Sequence, residues 1–219
     1  MFEANVATPT PETASERRRH QHREDARRAI LDATEALLVE RGYEAFSMRR
    51  LAERCGYTAP TIYHYFTDKK GLFDTLLEER FRRMVDTLRR VPRSDDPVET
   101  LLSVGQACVR FGLRNPSQIQ LLTALRPDPT DPPQSSVEAR ELIEGPLREL
   151  AQQGRLLVRD TEEAFQCLWI AMHGVMSMLT TRPDYEWSKS LVRSSLAAML
   201  RGLIRPAKPG NGGALGVVS

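Results

Sequence analysis

Apolar residues recur along this chain at spacings of three, four, seven and eight, and turn residues cut the pattern into about nine helical segments. The first spans about 24–41, with Ala29, Ile30, Ala33, Leu37 and Leu38 on one face and Gly42 closing it. Two short segments follow, each opened by a capping residue. Ser47 precedes the first, with Leu51, Ala52 and Cys55 on its apolar side and Gly56 at its end; Thr58 precedes the second, with Ile62 and Phe66 buried. A longer fourth segment, about 69–90, carries Leu72, Phe73, Leu76, Leu77, Phe81, Met84, Val85 and Leu88, and prolines at 92 and 97 end it. Five more helices are expected beyond Val98, separated by Asn115-Pro116, a proline-rich loop at 126–135, and Asp160, which opens the eighth. The eighth helix, reading AFQCLWIAMHGVMSML, is apolar nearly all round and needs cover on two sides. The ninth, about 187–204, repeats the situation.

These elements predict an all-α protein in four parts. Residues 1–22 read as a disordered basic arm and 23–68 as a three-helix domain with a helix-turn-helix. Residues 69–205 read as a helical C-terminal domain and 206–219 as a disordered tail. The width of the apolar faces on the last two helices predicts a homodimer, a four-helix seam made across a two-fold axis. Phe165, Leu168, Val175 and Leu179 are its candidates on the eighth helix, and Leu191, Leu196, Met199 and Leu203 on the ninth.

The outward residues of the two short helices suit DNA. Arg49 and Arg50 can reach guanine edges or phosphates, and Thr58, Thr61, His64 and Tyr65 bring further hydrogen-bonding groups. Lys69 and Lys70 follow Asp68, a capping residue, and so sit at the positive end of a helix, where the macrodipole disfavours cations. An anion such as a DNA phosphate would resolve that conflict. The run Arg17 to Arg23 is either an arm for a minor groove or a solvated leader.

Arg49-Arg50-Leu51-Ala52, Gly56 and Pro60-Thr61-Ile62-Tyr63-His64-Tyr65-Phe66-x-x-Lys69-x-x-Leu72 resemble the N-terminal domain of TetR-family transcriptional regulators, over roughly residues 24–75. The resemblance implies that Arg49 and Thr61 reach bases, with Pro60 and Tyr65 close by. It implies that Tyr63, Lys69 and Ser47 grip phosphates. Trp169-Ile170-Ala171-Met172-His173-Gly174 resembles the Trp-x-x-x-His-Gly element of one group of TetR-family C-terminal domains, in a helix bordering effector cavity and dimer seam. On that footing the C-terminal domain binds a small-molecule effector as well as dimerising. Phe81, Cys108, Phe111, Leu122, Trp169, Met172, His173 and Met176 are the candidate pocket residues. His173 is either a ligand contact or a core or interface histidine bonded to backbone, and the methionines are either an adaptable lining or ordinary core.

Composition adds little to this picture. Thirty-one basic and 29 acidic residues leave a net charge of +2, so position matters more than total. Residues 17–70 hold an excess of four positive charges over negative ones. Cys55, Cys108 and Cys167 are widely spaced in apolar patterns and read as reduced thiols in a cytoplasmic protein. No apolar run approaches the ~20 residues of a membrane span. No phosphate loop, metal-spaced cluster or nucleophile–base pair is present, so no catalytic or metal residue and no cofactor is expected. The function these features favour is a repressor released from a near-palindromic double-stranded operator by an apolar or amphipathic small molecule. The alternatives are a constitutive DNA-binding regulator, or a helical carrier or enzyme with a vestigial DNA-binding unit.

Overall fold

The computed structural model describes residues 13–125 and 130–206. Within them nine α-helices follow in order: α1 (Ala14–Arg41), α2 (Met48–Cys55), α3 (Ala59–Tyr65), α4 (Lys69–Arg89), α5 (Pro97–Arg114), α6 (Pro116–Leu125), α7 (Gln134–Gln152), α8 (Thr161–Thr181) and α9 (Leu191–Leu203). The chain divides into two compact units, Met1–Phe73 and Asp74–Ser219, with the division inside α4. The reason is local. Phe73 packs edge-on to Phe46, with ring centroids 4.9 Å apart, and lies 5.6 Å from Tyr43, which ties the first turns of α4 to the N-terminal unit.

α1 corrects the expected arm. It begins at Ala14, so the basic run from Arg17 is helical and exposed, in contrast to the disorder expected through residue 22. Thr13 and Glu16 form a reciprocal capping box, and residues 14–41 contain neither Gly nor Pro, so nothing stops the helix earlier. Residues 1–12 of the arm, and the tail from 207, lie outside the described residues. The buried face of α1 is Ala26, Ile30, Leu31, Thr34, Leu37 and Leu38, while Ala29 is exposed. Thr34 satisfies its hydroxyl on the Ile30 carbonyl at 2.8 Å, which allows it into the core.

α5 is the central helix of the second unit. It packs against α7, α8 and α9, and α8 in turn packs on α7 and α9. Its closeness to α8 and α9 depends on two glycines. A Cβ on Gly105 would sit 3.2 Å from Leu196 Cδ1, and one on Gly112 would fall on Met176 Sδ. Glu78 of α4 does the capping that Pro133 cannot do for α7. Its carboxylate accepts from the Ser135 N–H at 3.1 Å and from the Ser135 hydroxyl at 2.6 Å, and Arg82 donates to it at 3.0 Å. Burial raises the Glu78 pKa, but the bonds from Ser135 and Arg82 outweigh it, and the carboxyl titrates below its ordinary value. After α9 the backbone returns to the α7–α8 connection, where Leu157 N–H donates to the Leu203 carbonyl and Arg205 N–H to the Arg155 carbonyl, each at 2.8 Å. No helix among the described residues is long and apolar enough to cross a membrane.

Candidate functional site

The α2–turn–α3 segment is built by its caps. Ser47 Oγ accepts from the Arg50 N–H, and Gly56 adopts φ 68°, ψ 22°, the left-handed conformation that a residue with a side chain resists. Thr58 then opens α3 by accepting from the Thr61 N–H, and Pro60 lies in the first turn, where no intrahelical donor is lost. Leu51, Ala52, Ile62 and Phe66 are buried beneath the pair. Arg54 of α2 forms a two-pronged ion pair with Glu40 of α1, at 2.6 and 2.7 Å, and so fixes the helix-turn-helix against its support. The Arg54 hydrogen bonds hold the Glu40 carboxyl below its ordinary pKa.

The predicted DNA-facing residues divide into two sets. Ser47, Arg50 and Thr58 make internal hydrogen bonds, two as caps and Arg50 through a 2.6 Å bond from Nη1 to the Ala45 carbonyl, though Arg50 and Thr58 remain exposed. Arg49, Pro60, Tyr63, His64 and Lys70 are exposed, and Thr61, Tyr65 and Lys69 are half-buried. The Arg49 side chain is 84% exposed and meets Glu53 only loosely, at 3.8 Å. His64 stands edge-on to Tyr65, with ring centroids 5.7 Å apart.

Lys69 is held differently from the expectation. Its ammonium lies 4.6 Å from the ring centre of Tyr43, 5.3 Å from that of Phe46 and 5.4 Å from that of Phe73. The negative faces of these rings accommodate a cation at the positive end of α4, so no anion is needed to explain its presence there. Asp68 caps the same end by accepting from the Gly71 N–H at 2.7 Å.

In the second unit five of the predicted pocket residues, Phe81, Cys108, Phe111, Met172 and Met176, share one apolar core but do not line one cavity. Met172, Met176 and Cys108 are buried in the core formed with α5, α7 and α9. Burial pushes the Cys108 thiol up to about 11. The void among Leu101, Gly105, Ile143, Leu168, Met172, Leu196 and Leu200 amounts to about 10 Å³, too small for an effector. Trp169 is 52% exposed, and His173 donates from Nδ1 to the Trp169 carbonyl of its own helix, 3.0 Å away, with its ring edge-on to the indole. Phe81 packs against the core from the side, and Leu122 is half-buried on α6. Of the predicted set, Phe111 is the residue that lines a large cavity. This cavity, of about 560 Å³, opens between the end of α4 and one face of α5.

The predicted seam is also partly corrected. Leu168, Leu196 and Leu203 are sealed inside the protomer and cannot meet a second chain without opening its core. Phe165, Val175, Leu179, Leu191 and Met199 are half-buried. The apolar surface of α8 is made instead by Trp169, Ile170 at 67% exposure and Met178 at 47%. An all-apolar helix has no polar stripe from which to read its inner side. Among the described residues no group of three or more His, Cys, Asp or Glu side chains could hold a metal ion.

Two short capped helices on a third, with arginine, tyrosine and histidine on the open side, define a helix-turn-helix protein. Residues 30–76 match the family model for bacterial regulatory proteins of the tetR family, and residues 101–203 match the tetracyclin repressor-like C-terminal domain. The chain belongs to the TetR family of transcriptional regulators. It is 34% identical over 99 residues to the HTH-type transcriptional repressor KstR of Rhodococcus jostii, covering 45% of this chain and 46% of that one. It is 35% identical over 82 residues to the class C tetracycline repressor protein of Escherichia coli, covering 37% and 36%. These matches span less than half the length of either relative. Among solved structures, a TetR family regulator from Marinobacter aquaeolei superposes with a TM-score of 0.71 at 17% identity, over 85% of this chain and all of that one. One from Shewanella gives 0.70 at 19% identity, over 83% and 99%. At these identities the likeness concerns the fold alone.

Proposed function

We propose that this chain is a DNA-binding transcriptional regulator that works as a homodimer, and that it represses from a near-palindromic operator until a small molecule releases it. The carrying observation is the capped α2–α3 pair, braced by Arg54 and Glu40, with Arg49, Tyr63 and His64 left open to solvent. Arg49 is the base-reading candidate, since an extended guanidinium with a weak internal partner is free to make a bidentate contact to guanine. Dimerisation is supported by the apolar residues exposed on α8, and repression by the likeness to KstR and the tetracycline repressor, which are repressors. Release by a ligand acting through α4 is supported by that helix having residues in both units and a cavity at its far end. A constitutive regulator is the second reading, favoured by the closed core around Met172.

The experiment is selection of DNA fragments by the purified protein, then measurement of affinity against salt for selected and random duplexes. The expected result is a palindromic selection, with Arg49→Ala costing about 1–3 kcal/mol on the selected site and little on random DNA. Equal wild-type affinity for selected and random duplexes would refute sequence-specific regulation.

A further inference from the structure

The cavity between α4 and α5 has a chemistry of its own. One wall is a single stripe of α5, at positions 103, 106, 107, 110, 111 and 114, and the other is Thr87, Arg90, Val91 and Pro92. Three arginines line it, Arg90, Arg110 and Arg114, and no acidic residue does. Neighbouring arginines are treated otherwise: Arg89 pairs with Glu138 at 2.6 Å, and Arg93 pairs with Glu149. Arg90, Arg110 and Arg114 have no carboxylate partner among the described residues, although Arg110 and Arg114 are like charges one helical turn apart. Arg110 Nη1 donates to Gln106 Oε1 at 3.4 Å, which uses the carbonyl end of that amide. Gln106 Nε2 is buried and meets no acceptor among the described residues. Val91, Ala107 and Phe111 supply an apolar floor.

We infer that this groove binds an amphipathic anion. Its carboxylate or phosphate head accepts from Arg90, Arg110, Arg114 and Gln106 Nε2, and its hydrocarbon body lies on Val91, Ala107 and Phe111. Guanidinium forks match both head groups bidentately, and an anion there relieves the repulsion along α5. The Phe111 carbonyl in the last turn of α5 is occupied by the Asn115 N–H and side-chain amide, at 3.0 and 2.8 Å, so this carbonyl is covered and does not face the head group bare. The inference rests on the ligand-release reading for its regulatory meaning, but not for the binding itself.

The test is calorimetric titration of the full chain with four probes of one tail length: decanoate, decyl phosphate, decanol and decylamine. The two anions are expected to bind at least about tenfold more tightly than the alcohol or the amine. Arg110→Gln is expected to weaken the anions about tenfold and leave the alcohol unchanged, whereas Arg89→Gln, next to the groove but paired, leaves all four unchanged. The stronger of decanoate and decyl phosphate identifies the head group. Decanol binding as tightly as decanoate overturns the inference. So does an Arg90→Gln, Arg110→Gln, Arg114→Gln triple variant that keeps wild-type affinity for both anions, or no anion binding at millimolar concentration. Operator release is measured separately: arginine-dependent anion binding without release upholds the site and refutes only the release reading.

Discussion

Lys69→Gln separates two roles that one ammonium could serve. The substitution leaves a polar side chain one atom shorter and removes a charge that lies within 4.6–5.4 Å of three ring centres. A half-buried cation over several rings stabilises by about 1–2 kcal/mol. Against that, removing a positive charge from the first turn of α4 recovers about 0.3–1 kcal/mol of dipole repulsion. The balance is a loss of roughly 1 kcal/mol, confined to the N-terminal unit, or about a fivefold loss of hydrogen-exchange protection for residues 13–73. Trp169 and Trp187 both belong to the second unit, so tryptophan fluorescence should report an unchanged unfolding there. Lys69→Arg should restore protection. If Lys69 also grips a phosphate, the same variant lowers the slope of log affinity against log salt by about 0.9. Unchanged protection with a reduced salt slope refutes the ring-cage role; lost protection with an unchanged slope refutes the phosphate contact.

Glu78→Gln weakens the bonds that start α7 and should lower the stability of the second unit by about 1–2 kcal/mol, measured by urea titration of tryptophan fluorescence. Because the folded pKa of Glu78 is depressed, its contribution is complete above the ordinary value of 4.5 and is lost as pH falls through the folded value, so wild type and variant converge in acid. Gly112→Ala should cost about 1–3 kcal/mol by driving a methyl onto Met176 Sδ, and Met176→Ala in the same chain should return part of it; additive losses in that cycle would refute the contact. Ile170→Glu should shift sedimentation towards monomer without changing protomer stability, and a dimer of undiminished affinity would move the seam away from this face of α8.

What was legible in the sequence was what local rules determine. Ser47, Gly56, Thr58 and Pro60 announce two capped helices, and each serves as its chemistry requires. Prolines and caps also bracketed α5, α6 and α8 at or within a residue of their ends. Thr13-x-x-Glu16 is a capping signal that marks the start of α1, while the run of arginines and histidines after it is equally compatible with a solvated leader. Long-range pairing was less accessible. The i, i+4 spacing of Lys69 and Phe73 allows them to meet, but nothing in the sequence says that Tyr43 and Phe46 of the α1–α2 connection close on the same ammonium. Nor does an all-apolar α8 indicate that Leu168 turns inward and Ile170 outward.

Unmatched charge is the signal that reached furthest in both units. Most arginines here have a task inside the fold: Arg54 braces α2 on α1, Arg89 and Arg93 tie to α7, and Arg140 and Arg148 join carboxylates on α7 and α8. A guanidinium so engaged is costly to pull away, because its partner is left without a donor. Arg49 at the helix-turn-helix, and Arg90, Arg110 and Arg114 at the groove, lack a close internal carboxylate. They can therefore turn to an external anion at the cost of no more than the long Arg49–Glu53 and Arg110–Gln106 contacts. On this logic a polyanion meets the first set and a small amphipathic anion the second. The two ligands are then alike in charge and distinct in shape. Raising salt should weaken DNA binding steeply, since many phosphates are involved, and binding of a single-headed anion much less. A common salt dependence for decanoate and operator would show instead that both were bound by diffuse positive charge, not by two built sites.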